Sequence, residues 1–357
     1  MAKHAGQDGS QIDHVYDLLL AAPFGLHDLA KPAGALPEDA PLALAEWYVL
    51  MGGASLFHEA IVFAPPNEVH LLQDPARWWC GSVDGDDLAI TPQGRVLCWD
   101  SSVDDWLPVG SRLDRWLWGM LDGQALLYDA EGEFADDVFD EDGELSDATT
   151  LAQLRALVRR DGAAVATRWR LGAAFVAAGD ILRGREQLER CVELDEDFYW
   201  AWLELARISE NLAEFANAYE EALTAANAAQ KCGAPSAGYL WSHAARLALR
   251  SNASSARDAA AAQVQRLAPQ LRTEQLAGIR ECMANRDWKS AGGLMDLLRA
   301  VWPRDLEVMD MARQLAAAPR QEPEVDAEEG LDTDDADESD QADDIGPTDL
   351  GSQPKPE

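Results

Sequence analysis

The sequence of 357 residues lacks any long apolar run. A helix that crosses a membrane needs about 20 consecutive, mostly apolar residues, and no stretch of this chain comes near that length. The opening segment, MAKHAGQDGSQ, also lacks the charged and then apolar layout of a secretion signal. These absences predict a cytoplasmic protein that does not bind a membrane.

Cysteine and histidine are too scattered for a disulfide framework or a metal site. The five cysteines form no CxxC pair, and the six histidines form no spaced set. His58 and Glu59 begin like the zinc motif HExxH, but Val62 stands where the second histidine belongs. The stretch VFDEDGELSDAT would put Val138 and Thr149 at the end positions of a calcium loop, and neither has a carboxylate. We therefore predict no metal and no cofactor.

Motifs of catalysis are missing as well. The sequence contains no GxxxxGKS/T, no GxGxxG and no GxSxG, which are the local patterns that cradle phosphates or present a nucleophile. We predict a protein without catalytic residues and without enzyme activity. An enzyme whose active site carries no recognisable motif is the alternative that this observation leaves open.

The chain is strongly acidic, with a formal net charge of -35, but the excess is unevenly distributed. Residues 129–150 carry ten acidic side chains and no basic one, whereas residues 151–316 carry 21 of each and are rich in arginine. Binding to nucleic acid or to an anionic membrane would bring like charges together, so we expect neither. The charge favours basic protein partners instead.

A period of 34 residues runs through the second half of the chain. The four units begin near residues 165, 199, 238 and 272. Small residues recur at positions 8 and 20 of the units, where two helices must approach closely. Pro269 and Pro303 stand at position 32, where proline ends the second helix of a unit. Arg257 occupies position 20 of the third unit, so we expect a distorted hairpin there.

This pattern resembles the tetratricopeptide repeat (TPR) family. The resemblance covers residues 148–318 and implies an all-α solenoid of four helical hairpins, with additional helices covering its two ends. Members of the family hold other proteins, so the resemblance also implies a protein or peptide ligand for this part of the chain.

In the TPR family the first helix of each unit lines a concave groove, which implies ten partner-binding residues here. They are Trp169, Trp200, Leu203, Arg207, Asn211, Tyr239, Arg246, Arg250, Leu276 and Arg280. Three of the arginines fall at position 9 of consecutive units, and a row of guanidinium groups beside aromatic rings suits an acidic peptide. The alternative is that the arginines pair with nearby Glu204, Glu210 and Glu281 and only keep the surface soluble.

Residues 12–128 combine helical and strand patterns. A helix is expected to begin after Pro37 and to end at Gly52 and Gly53, and a second helix is expected in SRLDRWLWGMLDG. Between them HEAIVFA, DLAITPQ and GRVLCWD have the alternating, β-branched and aromatic character of short strands. We predict an α+β domain with one small, mostly antiparallel sheet.

The stretch from Leu36 to Gly53, the strand pair DGDDLAITPQGRVLCWD and the closing helix resemble the SMI1/KNR4 (SUKH) superfamily. The resemblance implies a noncatalytic binding module, which in bacteria is often an immunity protein that covers a toxin. The acidic charge of residues 12–128 fits capture of a basic toxin, because complementary charge speeds association.

Two further segments complete the predicted organisation. Residues 129–147 should form an extended, partly ordered acidic linker. Residues 319–357 should form a disordered acidic tail, because they have almost no large apolar side chains to bury. The chain as a whole is therefore interpreted as a non-enzymatic adaptor for protein–protein interactions, with toxin neutralisation as its most specific form. The alternative is a general TPR scaffold that assembles a cytoplasmic complex.

Overall fold

The computed structural model describes residues 10–23, 25–73 and 75–317. Three helices and eight strands build the front half. The helices are α1 (Ile12–Ala21), α2 (Leu42–Leu50) and α3 (Leu113–Gln124). The strands are β1 (His27–Ala30), β2 (Gly53–Leu56), β3 (Ile61–Phe63), β4 (His70–Leu72), β5 (Arg77–Val83), β6 (Asp86–Ile90), β7 (Val96–Asp100) and β8 (Asp105–Gly110).

The strands form one antiparallel sheet in the order β1-β2-β3-β5-β6-β7-β8, with β4 paired to the start of β5. Strands β5 and β6 are joined by Asp84 and Gly85, which both have positive φ, as a two-residue hairpin turn requires. A Cβ atom on Gly81 would lie 1.8 Å from the Val62 carbonyl oxygen, so the backbones can approach there only at glycine. The predicted α+β architecture with an antiparallel sheet is confirmed.

Ten helices follow the sheet in the part of the chain that the structure describes. They are α4 (Asp147–Arg160), α5 (Val165–Ala177), α6 (Ile181–Leu194), α7 (Tyr199–Asn211), α8 (Phe215–Cys232), α9 (Ala237–Arg250), α10 (Ser254–Leu267), α11 (Leu271–Ala284), α12 (Trp288–Val301) and α13 (Leu306–Ala317). Helices α5 to α12 form four consecutive antiparallel hairpins, which confirms the prediction of helical repeats. The second and third units start more than one period apart, and the extra residues around KCGAPS lengthen α8. This helix ends at Gly233, which has the left-handed conformation that commonly terminates helices.

One continuous apolar core joins the sheet to the first two hairpins. It includes Trp47 of α2 and Leu117 of α3, and it extends to Leu205 of α7. Polar contacts support this junction: Thr167 Oγ1 donates to the Val109 carbonyl oxygen at 2.9 Å, and Arg170 pairs with Asp100 at 2.6 Å. Because both halves share one core, they pack as a single unit.

The segment between the sheet and the repeats differs from the extended linker expected from the sequence. It forms two consecutive tight hairpins, closed by bridges between Tyr128 and Phe134 and between Phe139 and Leu145. We call them the acidic hairpins. Their sequences, LYDAEGEFADD and VFDEDGELSDA, are copies offset by eleven residues. Gly132 and Gly143, which have positive φ, make the turns possible.

Each acidic hairpin is held by an aspartate at the same position. Asp129 Oδ1 accepts hydrogen bonds from the backbone N–H groups of Glu131 and Glu133, both at 3.0 Å. Asp140 Oδ1 makes the same two bonds in the second copy, again at 3.0 Å. These bonds let a highly charged segment adopt a defined conformation, because they satisfy backbone donors that an extended chain would leave to water.

The fourth hairpin docks through its second helix. Helix α12 packs against α9 and α10, and its Ala300 and Val301 belong to the apolar cluster built by α7 to α10. The rest of this hairpin forms a separate cluster with α13, which includes Leu276 and Val308. Consequently α12, and not α11, faces the end of the third hairpin.

The predicted disordered tail, residues 319–357, lies outside the described residues. Within the described ranges, none of the helices combines the length and the apolar character needed to cross a bilayer.

Candidate functional site

Four arginines line a cleft at the junction of the third and fourth hairpins, which we call the arginine cleft. Its volume is about 650 Å³. The lining residues are Arg246, Leu249, Arg250, Arg257, Asp296, Arg299 and Pro303. The first three lie in the last turns of α9, Arg257 lies in the first turn of α10, and Asp296 and Arg299 lie on α12. The docking of α12 onto α9 therefore creates the cleft.

Glu210, at the end of α7, binds two of these arginines. Arg246 donates to both carboxylate oxygens of Glu210, at 2.5 and 2.6 Å, and Arg250 donates to Oε1. Burial opposes the ionisation of Glu210, but the two guanidinium groups outweigh it and hold the pKa of Glu210 below its ordinary value. Arg250 also lies over the ring of Phe215, 4.3 Å from its centroid. Both arginines are thereby fixed with their charges directed into one region.

Arg257 is the residue that breaks the small-residue pattern of the third unit. Helix α10 nevertheless runs without interruption, and the Arg257 side chain extends toward α12, where Nη1 donates to the Ala300 carbonyl oxygen at 3.4 Å. Nη2 pairs with Asp258 at 2.8 Å, while Nε is buried without a partner among the described residues. An arginine at this position thus connects two hairpins and adds a charge to the cleft.

Arg299 has an exposed side chain on α12 and has no ion-pair partner in the part of the chain that the structure describes. The cleft lining contains four guanidinium groups and the carboxylate of Asp296, and Glu210 and Asp258 pair with three of these arginines from outside the lining. The balance is therefore positive, in a chain whose overall charge is -35.

His243 lies beneath the arginines of the cleft, one turn before Arg246 on α9. Burial, together with the nearby charges of Arg246 and Arg207, lowers the pKa of His243 to about 3. Its ring packs edge-on against Tyr239, with centroids 4.6 Å apart. The imidazole is consequently neutral at physiological pH and adds no charge of its own to the cleft.

Of the ten groove residues predicted from the sequence, only Arg246 and Arg250 line the cleft. Leu203 and Leu276 are each 1% exposed and pack inside apolar clusters, so their assignment as ligand-facing residues is wrong.

The other arginines of the predicted row are paired with acids, as the alternative interpretation supposes. Arg207 pairs with Glu204 one turn earlier on α7, and Arg280 pairs with Glu307 at 2.6 Å. Asn211 is exposed at the end of α7. These residues lie apart from the cleft lining.

The predicted groove tryptophans belong to the junction with the sheet. Trp169 and Trp200 are half-buried, with ring centroids 6.3 Å apart, and both pack against the core that includes the sheet. Tyr199, next to Trp200, donates a hydrogen bond to Asp105 at the start of β8. The front half of the protein therefore covers the part of the repeat surface where these tryptophans lie.

Arg257 and Arg299 are the cleft residues that the sequence analysis missed. Arg257 did carry a signal, because it replaces the small residue that position 20 requires. Arg299 carried none, since its proximity to α9 depends on the unusual docking of α12.

The described residues contain no group of three or more histidine, cysteine, aspartate or glutamate side chains arranged to hold a metal ion. The buried thiols of Cys80, Cys98 and Cys191 have raised pKa values, mainly because of burial. Such thiols are poor nucleophiles at neutral pH.

No family model and no curated protein matches the sequence. The chain is similar to the solved structure of Pseudomonas aeruginosa PilF, with 14% identity over 46% of this chain and 72% of that chain and a TM-score of 0.32. It is similar to the MamA RS-1 ArsTM double mutant, with 14% identity over 48% of this chain and 89% of that chain and a TM-score of 0.33. It is also similar to the crystal structure of the Cut9-Hcn1 hetero-tetramer of APC/C, with 14% identity over 48% of this chain and 36% of that chain and a TM-score of 0.28.

TM-scores this low do not define a shared overall fold. The assignment of TPR-type hairpins therefore rests on the period and the helix order of this chain itself.

Proposed function

We propose that the protein is a non-enzymatic adaptor and that the arginine cleft binds an acidic peptide segment of another protein. The observation that carries the proposal is the convergence of four guanidinium groups from three helices on one concave surface. Guanidinium groups bind carboxylates through paired, charge-assisted hydrogen bonds, and prior fixation of their side chains reduces the entropy lost on binding.

Arg250 and Arg299 are the first groups that such a peptide meets. The Arg250 side chain is 47% exposed although it is anchored by Glu210, and Arg299 is exposed and unpaired within the described chain. Leu249 and Pro303 supply apolar contacts between the charges. The cleft thus suits a segment in which carboxylates alternate with apolar side chains.

The test is fluorescence anisotropy with a labelled 12-residue peptide that alternates glutamate and leucine, together with a glutamine version as the uncharged probe. Arg299→Ala should weaken binding of the glutamate peptide by about tenfold, the loss of one charge-assisted bond. Lys289→Ala removes another exposed cation from α12 outside the cleft and is the matched control. Equal affinity for the two peptides, or equal loss in the two variants, would exclude the proposal.

For the front half we propose, more specifically, that it binds a basic protein and that its biological role is to neutralise a toxin. Support comes from the acidic hairpins, where Phe134 and Phe139 are 52% and 39% exposed among carboxylates that lack basic neighbours in residues 129–150. Exposed aromatic rings beside carboxylates suit lysine and arginine side chains.

The two forms of the adaptor proposal predict different partners. Immobilised full-length protein should be used, because the halves share a core and cannot be separated safely. An immunity protein should retain one basic protein and abolish its activity, and Phe134→Ser should reduce this retention. A general scaffold should retain several proteins with acidic segments, and Arg299→Ala should release them.

A further inference from the structure

A second cavity lies where the sheet meets the first helices of the repeat half. Its volume is about 200 Å³. Sheet residues Val83, Asp84, Cys98 and Val109 form one wall, and the others are formed by α3, α4, α5 and Leu145 of the second acidic hairpin. We call it the junction pocket.

The interior of the junction pocket is largely apolar. Trp116 and Met120 of α3 and Leu154 and Leu157 of α4 line it, together with Val109 of β8. Helices α3 and α4 approach closely at Gly123, where an added Cβ atom would lie 2.9 Å from the Leu157 Cδ1 atom. A compact apolar group about the size of one aromatic ring fits such a volume and surface.

The mouth of the pocket carries two charged groups, Asp84 and Arg170. Arg170 is already engaged, since its Nη2 donates to Asp100 at 2.6 Å. The Asp84 carboxylate has no hydrogen bond or ion pair with any residue that the structure describes. Partial desolvation raises the pKa of Asp84, nearby Asp86 raises it further, and Arg170 opposes both effects.

These features discriminate between classes of ligand. A carboxylate would meet the negative charges of Asp84 and Asp86, and it would compete with Asp100 for Arg170. A neutral apolar molecule would make no charged contact with Asp84. An ammonium group at the mouth satisfies Asp84 and leaves the Arg170 pair intact.

We propose that the junction pocket binds a small amphipathic amine, with a compact apolar body inside the cavity and a primary ammonium group on Asp84. The proposal is independent of the acidic-peptide function, because the pocket shares no residue with the arginine cleft. A molecule bound here would contact the sheet, α3, α4 and α5 at once and would stabilise their junction.

The probe is 2-phenylethylamine, titrated into the full chain by calorimetry, with 3-phenylpropionate as the acid of similar size. We expect a Kd of about 0.1–1 mM for the amine, as a fragment of this size allows, and weaker binding of the acid. Asp84→Asn should weaken amine binding at least tenfold, since it removes the charge while asparagine tolerates the positive φ of 50° at this turn.

Asp104→Asn is the matched control, because Asp104 is another exposed aspartate with positive φ in a turn of the same sheet. It should leave the affinity unchanged, as should Arg299→Ala. Leu154→Trp should fill the cavity and abolish binding while thermal unfolding shows that the fold persists. The proposal is overturned if the amine does not bind, if the acid binds more tightly, or if Asp84→Asn and Asp104→Asn behave alike.

Discussion

The single carboxylate of Glu210 binds two arginines of the arginine cleft. Its side chain is 14% exposed, so its bonds to Arg246 and Arg250 are shielded from solvent more than those of a typical surface pair. A peptide carboxylate entering the cleft would compete with Glu210 for the same guanidinium groups. Glu210 thus both orders the cleft and limits its affinity for acidic ligands.

Glu210→Gln should therefore destabilise the protein and strengthen peptide binding. The folded-state pKa of Glu210 lies below its ordinary value of 4.5, so the ionised side chain stabilises the fold above that value and this contribution is lost as pH falls through the folded pKa. We expect the variant to be about 1 kcal/mol less stable at neutral pH, and we expect this deficit to shrink as pH falls below 4.5. Urea denaturation at neutral pH and in acid measures this.

The matched control is Glu193→Gln, which alters an exposed pair with Arg190 and should change stability little at either pH. A Glu210→Gln deficit that persists undiminished in acid would show that charge is not the source of the stabilisation. Binding of the glutamate peptide should rise about threefold in the same variant, since two guanidinium groups gain a free bonding position.

At the scale of elements, the acidic hairpins show how a duplicated segment can fold without an apolar core of its own. Leu127 and Val138, at the same position of the two copies, are both 6% exposed and anchor the hairpins to the protein. Asp129 and Asp140 then organise the two turns from within. A segment with ten carboxylates is ordered because each copy supplies one anchor and one internal acceptor.

Asp140→Ala should loosen the second hairpin. The substitution leaves the N–H groups of Asp142 and Glu144 without their acceptor, and we expect a local loss of about 1 kcal/mol. Hydrogen exchange at residues 139–145 should accelerate several-fold, while exchange in α4 stays unchanged. Glu141→Ala removes a neighbouring exposed carboxylate and serves as control; equal acceleration in both variants would contradict this role for Asp140.

At the scale of the whole molecule, the described chain up to Ala316 is one compact unit in which the sheet packs against the repeats. Asp161 connects the two halves. It lies between α4 and α5 and is 2% exposed. Its carboxylate accepts hydrogen bonds from the backbone N–H and the hydroxyl of Ser111, each at 2.6 Å. These bonds tie the end of the sheet to the start of the repeats.

We expect a single unfolding transition for the two halves. Helical circular dichroism reports mainly on α4 to α13, and a thiol probe at buried Cys80 reports on the sheet. Both signals should change at the same urea concentration, because the shared core must be disrupted at once. Two separated transitions would show that the halves are independent domains.

Local patterns in the sequence were sufficient to predict the antiparallel sheet and the helical hairpins, because the turn at Asp84 and Gly85 and the 34-residue period are local signals. The docking of α12 on α9 was not predictable in this way, since it depends on contacts between side chains far apart in the sequence. Leu203 and Leu276 were misassigned for the same reason. The domain boundaries remain predictions.

In the proposed complex the acidic peptide lies against Arg299 in the arginine cleft. Charge exchange tests this contact: Arg299→Glu is combined with a set of glutamate peptides in which each glutamate in turn is replaced by lysine, and affinity is measured by anisotropy. We expect Arg299→Glu to weaken binding of the original peptide by well over tenfold and one lysine peptide to regain most of that loss. Uniformly weak binding by every lysine peptide, or an unchanged affinity in Arg299→Glu, would exclude the proposed contact.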